Sequence, residues 1–283
     1  MLTVENLHFT YPASADETLK GNSFSISQGE VFGFLGPSGS GKSTTQKILY
    51  RLLAGYSGDI TFLQKPLNKW GREFYEYIGV SFELPNHYLK LTAEENLRFI
   101  ASFYTHGNPD YDKLFALVDL QDDRHKPVSD YSKGMKMRLN FIRSLLHNPD
   151  MLFLDEPTSG LDPISAGRIK QHIRQLKDEG KTIFITTHNM FDADQLCDRV
   201  ALLHRGRIVT IDKPSNLKIQ HGQKKVEVTT EEHPANPYIY PLEGIGSNRE
   251  FLELLRENKV RTIHSQEATL EEVFIKLTGD TLL

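Results

Sequence analysis

The chain has little of several features that would define other classes of protein. Its 283 residues include one cysteine, Cys197, so an intrachain disulfide is excluded and a reducing compartment is expected. No apolar run approaches the roughly 20 residues that span a bilayer. The N-terminus also lacks the basic and then apolar segments of a secretory signal. We therefore expect any membrane role to be exercised through a partner.

The chain also has no excess of basic residues. Lys and Arg number 33 against 37 Asp and Glu, which gives a formal net charge of -4. Nucleic-acid binders more often carry a basic surplus or stripe, so nucleic acid is not expected as a partner. The hydrophobic fraction of 39% and the charged fraction of 25% are ordinary for a globular protein with a core of its own.

Short apolar runs alternate with longer helical patterns through most of the chain. This alternation predicts β-α units, a mostly parallel sheet and therefore an α/β fold. Helices are expected at residues 44–53 and 164–179, where apolar residues recur every three or four positions. Strands are expected at residues 31–35, 59–63, 151–154 and 183–187.

Two regions differ from this α/β pattern. Residues 84–146 show helical periodicity, with helices expected at 93–104 and 111–120, and form a predicted helical insertion. The main domain is expected to cover residues 1–217 and a small α+β extension residues 218–283. In the extension we expect a linker at 218–225, a short strand, a helix at 249–258, another strand and a final helix at 270–277.

A glycine-rich segment follows the apolar run at 31–35. Residues 36–43, GPSGSGKS, match the P-loop pattern G-x-x-x-x-G-K-[ST], whose backbone N–H groups surround phosphates at a helix N-terminus. Its lysine reaches the β- and γ-phosphates, and its last hydroxyl, here Ser43, coordinates Mg²⁺. A glycine-rich turn that only starts a helix is the alternative, and the pattern does not separate ATPases, GTPases and kinases. The candidate nucleotide-binding residues are Gly36, Pro37, Ser38, Gly39, Ser40, Gly41, Lys42, Ser43 and Thr44.

Two carboxylates end the apolar run MLFLDE. At the carboxyl end of a parallel strand they would face the crevice where ligands bind. Asp155 is a candidate Mg²⁺ ligand, directly or through water, and Glu156 is a candidate catalytic residue that orients and polarises the attacking water. A strand followed by a polar turn is the alternative, and the P-loop beside it favours the functional interpretation.

The segment YSKGM, before a helical pattern and a short step ahead of the two carboxylates, resembles the ABC signature L-S-G-G-Q. The resemblance to the ABC ATPase family implies that Ser132 and Gly134 contact the γ-phosphate of a nucleotide held by the opposite subunit. Lys133, which replaces a glycine of the family, is a further candidate contact, and a solvated side chain is the slightly favoured alternative. A hydroxyl and free N–H groups at a helix N-terminus suit that anion. A serine before a helix is otherwise usually an N-cap. Lys133 and Met135 depart from the family pattern.

Three other positions match the same family, and a fourth departs from it. Asp162 ends a segment similar to the D-loop at the dimer seam, and His188 resembles the switch histidine that contacts the γ-phosphate and the attacking water. Tyr11 matches the aromatic residue that stacks on adenine. Glu83 stands where the family has a glutamine that ligates Mg²⁺, so it remains a candidate metal ligand with an added negative charge.

Family resemblance also implies partners. The chain is expected to bind ATP and Mg²⁺, to pair head to tail with a second copy, and to drive a separate membrane permease from the cytoplasmic face of the plasma membrane. The signature and the ending ATLEEVFIKLTG are similar to those of the exporter branch. Within the insertion, the predicted permease contacts are Leu84, Pro85, His87 and Tyr88, with ordinary packing as the alternative.

Two other functional classes are considered. Some ABC ATPases act on DNA or ribosomes, but these usually carry two cassettes, a long coiled coil or zinc modules, none of which this sequence shows. The second is a P-loop GTPase or kinase. A GTPase would carry an N/T-K-x-D motif, and residues 68–71, NKWG, lack its aspartate. A kinase would not need the signature, the D-loop and the histidine together. An ABC transporter subunit is therefore the favoured prediction.

Overall fold

The computed structural model describes residues 1–12, 14–105, 109–222, 224–257 and 259–280. The chain divides into two compact units, and the second begins at Asp212. This division lies six residues before the expected boundary after residue 217. Within the described ranges, none of the helices is long and apolar enough to cross a bilayer.

The larger sheet of unit 1 carries the strands that end in the sequence motifs. The spatial order is β10 (Arg207–Asp212), β9 (Arg199–His204), β3 (Val31–Leu35), β8 (Thr182–Thr187), β7 (Met151–Asp155) and β6 (Ile78–Ser81). β3 pairs in parallel with both β8 and β9, and β7 pairs in parallel with both β8 and β6. β3, β7 and β8 are buried along their whole length, which explains their unbroken apolar sequences.

A second, antiparallel sheet packs its apolar side on the same core. The spatial order is β2 (Leu19–Ile26), β1 (Leu2–Phe9), β4 (Ser57–Phe62) and β5 (Lys65–Pro66). Of these strands, sequence periodicity predicted only β4, and β1 was missed because its alternation of apolar residues changes phase at Asn6. Asn6 has a φ of 50° and lies at an irregularity in the pairing of β1.

A group of phenylalanines joins the two sheets. Phe24 of β2 lies 4.8 Å from Phe34 of β3, and Phe34 lies 5.0 Å from Phe184 of β8, measured between ring centroids. Each buried ring contributes about 1.5–3 kcal/mol through removal from water. This packing fixes β3 and β8, the strands that precede the P-loop segment and His188.

Helices surround the sheets, and most begin where the sequence predicts. α1 (Lys42–Leu49) ends before the predicted residue 53, because Arg51 adopts a φ of 64°. α5 (Pro163–Asp178) matches its prediction within a residue, whereas α6 (Met190–Leu196) was not predicted.

The predicted helical insertion is present. α2 (Ala93–Ala101) begins with a capping box between Thr92 and Glu95, and α3 (Tyr111–Leu117) begins with the Asp110 cap. Both end three residues earlier than predicted. α4 (Lys133–Arg143) completes the insertion and begins at the signature segment.

The described residues of unit 2 form a three-stranded antiparallel sheet and three α-helices. The linker predicted at residues 218–225 is wrong, because Pro214 starts the helix α7 (Pro214–His221), which packs on the last helix, α9 (Leu270–Thr278). The predicted helix at 249–258 is α8 (Arg249–Glu257), and Asn258 lies outside the described residues. The remaining elements are β11 (Lys225–Thr230), β12 (Tyr238–Pro241), β13 (Val260–Gln266) and α9 (Leu270–Thr278).

Candidate nucleotide-binding and hydrolysis site

Three neighbouring strands of the larger sheet end at one edge. Because β3, β8 and β7 are adjacent and parallel, the loops after them open on the same side. These loops carry residues 36–43, His188 and the Asp155-Glu156 pair. A cavity of about 410 Å³ lies among them. Its walls are formed by Tyr11, Thr18, Ser38, Gly39, Gly41, Lys42, Ser43, Thr44, Glu83, Glu156 and His188.

The P-loop has a shape that only glycine permits at two positions. A Cβ atom at Gly36 would collide with the carbonyl oxygen of Leu203 in β9. Gly41 has a φ of 106°, and a Cβ atom there would meet the side chain of Leu19. Ser40, inside the loop, is buried with its hydroxyl oxygen unpartnered. The P-loop backbone thus forms a closely packed concave surface, or cradle, in which the Ser40 hydroxyl is available to a ligand.

Lys42 lies folded into this cradle. Its ammonium donates to the carbonyl oxygens of Gly36 at 2.7 Å and Pro37 at 3.0 Å. Burial lowers the pKa of Lys42, and the carboxylates of Glu156, Asp155 and Glu83 oppose that shift. A buried cation that is satisfied only by carbonyls is ready to exchange them for phosphate oxygens.

Asp155 is held between α1 and β8. Its Oδ1 atom accepts from the Ser43 hydroxyl at 3.5 Å and also from the Thr186 hydroxyl. Burial raises the pKa of Asp155, the nearby Glu83 and Glu156 charges add to that shift, and the two hydroxyl donors oppose it. The carboxylate and the Ser43 hydroxyl together offer the hard oxygen atoms that Mg²⁺ prefers.

Glu156 is aimed into the cavity by an uncommon backbone. Its φ is 49°, which a non-glycine residue adopts only where its surroundings hold it. Oε1 accepts from the His188 backbone N–H at 2.9 Å and lies 2.7 Å from His188 Nδ1. Oε2 accepts from the Thr187 hydroxyl at 2.9 Å. The carboxylate is therefore fixed by donors at the end of β8.

Tyr11 and Glu83 join the site from outside the larger sheet's central strands. The hydroxyl of Tyr11 lies 3.1 Å from Thr44 Oγ1, and its ring makes an edge contact with Phe9. Glu83 follows β6 and forms part of the cavity wall. Both predicted positions are thus brought to the P-loop.

The signature and D-loop residues lie elsewhere. Ser132 caps α4 by accepting from the Met135 N–H at 3.2 Å, and Asp162 caps α5 by accepting two backbone N–H groups at 3.0 Å. Lys133 is exposed and lies against Gly160, and Gly134 faces the Gly160 carbonyl. In the part of the chain that the structure describes, none of these residues lines the cavity.

Three polar residues at the site were missed by sequence reasoning. Thr18 lines the cavity, and nothing in its sequence context distinguishes it. Thr186 and Thr187 bind the two carboxylates, and their signal was two hydroxyls at the end of an apolar run, directly before His188.

Comparison with known proteins identifies the family. A family model described as ABC transporter matches residues 19–159, and one described as fluoroquinolone efflux ABC transporter C-terminal domain matches residues 218–267. A fluoroquinolones export ATP-binding protein of Mycobacterium tuberculosis is 49% identical over 100% of this chain and 94% of its own length. The chain belongs to the ABC transporter ATP-binding family. A bacitracin transport ATP-binding protein of Bacillus licheniformis is 35% identical over 90% of each chain.

The fold of this ABC protein agrees with solved ABC cassettes. A dimeric ATP-binding cassette in a post-hydrolysis state with ADP and Pi is 25% identical, with a TM-score of 0.69, and the match covers 75% of this chain and 98% of that one. The predicted α/β P-loop core of an ABC ATPase is confirmed. The ABC protein binds ATP and hydrolyses it to ADP and phosphate as a subunit of a transporter.

Proposed function

We propose that two copies of this ABC protein close head to tail around two Mg-ATP and drive a separate permease that exports drugs or antibiotics. One observation supports the proposed dimer. The P-loop, Glu83, Glu156 and His188 share one cavity, whereas Ser132 at the start of α4 does not line it. A second copy would bring its signature to the nucleotide and complete the site. The names of the relatives support export, and the dimeric cassette supports pairing.

The residues at the cavity fit a metal-nucleotide complex. One buried ammonium, Lys42, faces Asp155, Glu156 and Glu83, so a triphosphate without a metal would meet an excess of negative charge. Ser43, Asp155 and Glu83 would hold Mg²⁺. The ion supplies charge stabilisation for transfer of the γ-phosphoryl group.

Hydrolysis would use the residues already fixed at the end of β7 and β8. Lys42 would leave its carbonyl partners for the β- and γ-phosphates, and Tyr11 would stack on the adenine. Glu156 would accept a hydrogen bond from the attacking water and orient it toward the phosphorus. His188, beside Glu156, would donate to the γ-phosphate.

The signature lies at the N-terminus of α4, a position from which it would bind an anion. Ser132 and the first N–H groups of α4 lie at a helix N-terminus, where negative charge is stabilised. The exposed ammonium of Lys133 would add to this attraction. Asp162, at the N-terminus of α5, would lie at the seam between the copies.

A row of exposed apolar side chains on the insertion is the proposed permease contact. Tyr88 lies 5.0 Å from Phe99, and Phe99 lies 5.1 Å from Phe103, measured between ring centroids. Leu84 and Phe103 are 71% and 67% exposed, which is unusual for residues of their size. This exposed row would place the protein at the cytoplasmic face of the membrane.

His87, predicted as a permease contact, turns inward instead. Its Nε2 donates to the Lys136 carbonyl of α4 at 3.0 Å, and burial lowers its pKa to about 4, so the ring is neutral at physiological pH. Asn140 and Arg143 of α4 hold the same loop. Asn140 donates to the Phe82 carbonyl at 2.7 Å, and Arg143 donates to the Asn86 carbonyl at 3.0 Å. A displacement of this loop by the permease would therefore move both Glu83 and the signature at the start of α4.

The first test is the mass of the Glu156→Gln protein in solution. Without its water-orienting carboxylate the protein should bind Mg-ATP and keep it, so ATP should produce a dimer while ADP and no nucleotide should leave a monomer. A protein that binds ATP yet stays monomeric, with and without its permease, would contradict the composite site. Lys42→Ala is the matched control, because it should bind ATP poorly and stay monomeric.

A further inference from the structure

Two consecutive threonines end β8 beside two consecutive carboxylates, Asp155 at the end of β7 and Glu156 directly after it. The strands are parallel, and Asp155 pairs with Thr186 in their register. The Thr186 hydroxyl donates to Asp155 Oδ1, and the Thr187 hydroxyl donates to Glu156 Oε2 at 2.9 Å. Each threonine therefore binds one of the two carboxylates.

The two threonine hydroxyls lie at buried positions where apolar side chains are expected. Thr186 is fully buried and Thr187 is 2% exposed, and the residues before them, 183–185, are Ile, Phe and Ile. A valine has nearly the same shape and avoids the cost of burying a hydroxyl. The hydrogen bonds to the carboxylates offset that cost, which links the two threonines to the site rather than to the core.

Thr186 also reaches the helix that follows the P-loop. Its Oγ1 lies 3.2 Å from the side-chain oxygen Oε1 of Gln46 in α1, and Gln46 is buried. A hydroxyl has one proton, so Thr186 cannot donate fully to both Gln46 and Asp155. The charged carboxylate is the stronger acceptor, so we assign the proton to the bond with Asp155. Thr186 therefore lies between the P-loop helix and the carboxylate proposed to hold the metal.

We propose that Thr187 and Thr186 are positioning residues, Thr187 for the carboxylate that orients water and Thr186 for the carboxylate that holds the metal. The inference rests on the roles proposed above for Glu156 and Asp155. Glu156 accepts bonds on both oxygens and so cannot rotate about its last torsion, which keeps its remaining lone pairs in one direction. Asp155 accepts from Thr186 and Ser43 on the same oxygen, Oδ1, and hydrogen bonds of this kind orient metal ligands.

Thr187 is tested by the paired substitutions Thr187→Val and Thr187→Ser. Thr187→Val should lower kcat by about tenfold or more, with KM for ATP changed by less than about twofold, because only the reacting geometry is lost. It should also accumulate an ATP-bound dimer, as Glu156→Gln should. Thr187→Ser should restore both properties. A kcat for Thr187→Val within about twofold of wild type, or equal losses in Val and Ser, overturns the inference.

The same strand provides a matched control. Thr182 starts β8, is fully buried and accepts from the Gly29 N–H at 3.0 Å, far from the cavity walls. Thr182→Val introduces the same side chain in the same strand. It should leave kcat and the dimer population at wild-type values, and a loss equal to that of Thr187→Val would assign the effect to packing.

Thr186 is tested by metal binding rather than by turnover. In the Glu156→Gln background with ATP, Mn²⁺ affinity is measured by electron paramagnetic resonance for Thr186→Val and Thr186→Ser. Thr186→Val should weaken Mn²⁺ binding by about tenfold, while ATP affinity measured in EDTA stays within about twofold of the wild-type value. Thr186→Ser should restore the Mn²⁺ affinity. Unchanged Mn²⁺ affinity overturns the role of Thr186.

Glu156→Gln separates this inference from the proposed function. If Glu156→Gln hydrolyses ATP at the wild-type rate, the assignment of Glu156 fails, and the role of Thr187 fails with it. If Glu156→Gln is inactive and Thr187→Val is fully active, only the threonine inference fails.

Discussion

Glu83 brings a third carboxylate to the site that already contains Asp155 and Glu156. All three act on Lys42, where they raise a pKa that burial lowers. Glu83 also adds to the shift that raises the pKa of Asp155. The ABC family usually has an uncharged glutamine there, so this protein should depend more strongly on a divalent cation to bind ATP.

Glu83→Gln should reduce that dependence. Removing one negative charge should tighten binding of metal-free ATP by about three- to tenfold, because like charges then repel less, and should change Mg-ATP affinity less. Calorimetric titrations with ATP in EDTA and in Mg²⁺ measure both values. Glu232→Gln, an exposed carboxylate of unit 2, is the control. If the ratio of ATP affinity in EDTA to ATP affinity in Mg²⁺ equals the wild-type ratio, the proposed effect of the Glu83 charge is contradicted.

At the scale of elements, α4 connects two parts of the proposed mechanism. Its N-terminus is the signature, and its buried face holds the loop after β6 through Asn140 and Arg143. Asn140 is fully buried, donates to Ser81 Oγ at 3.0 Å, and accepts from Arg143 at 2.6 Å. A buried amide that satisfies this many groups fixes the loop more firmly than apolar packing would.

Asn140→Ala should therefore destabilise the protein and loosen the loop. The free energy of unfolding should fall by about 1–3 kcal/mol, since the Phe82 carbonyl and the Arg143 guanidinium lose a buried partner. Urea unfolding followed by fluorescence measures the change. The exposed Asn68→Ala is the matched control and should shift stability by less than about 0.5 kcal/mol. Equal stability of the two variants would show that the amide does not hold the loop.

The sequence predicted elements well where burial was uniform and poorly where it was not. β3, β7 and β8 are buried on both faces, and their apolar runs were found with nearly correct ends. β1 was missed because its irregularity at Asn6 interrupts the alternation, and α7 was missed because its sequence is polar around a single fully buried leucine, Leu217. Such elements depend on what packs against them, which local pattern does not contain.

At the scale of the whole molecule, the proposed site would need two copies of the chain. Lys42, Glu156 and His188 meet in one cavity, and Ser132 lies outside it. A head-to-tail pair with twofold symmetry would form two identical sites, each using the P-loop of one copy and the signature of the other.

Mixing two inactive variants should restore activity. Lys42→Ala removes the phosphate-binding lysine, and Ser132→Arg blocks the signature, so each homodimer lacks a complete site. A mixed dimer holds one intact site, from the P-loop of one copy and the signature of the other. Random pairing in equal amounts should recover up to about one quarter of the wild-type ATPase rate. Activity that does not rise above the sum of the separate variants would contradict the head-to-tail arrangement.

The sequence by itself determined the nucleotide chemistry of this protein. Eight consecutive residues form the P-loop, and Asp155, Glu156 and His188 end apolar runs, so their spacing in the chain already fixes their place at strand ends. For the same reason the family could be named from short segments, and the α/β core followed from the alternation of elements.

Tertiary structure alone decided how those residues are held. Glu156 is bonded by Thr187 and His188, which lie 31 and 32 residues away in the chain, and it meets them only because β7 and β8 are neighbours in the sheet. Ser132, at the start of α4, lies outside the cavity that those strands form. Contacts of this kind arise from the packing of distant elements, and local sequence patterns carry no record of which elements become neighbours.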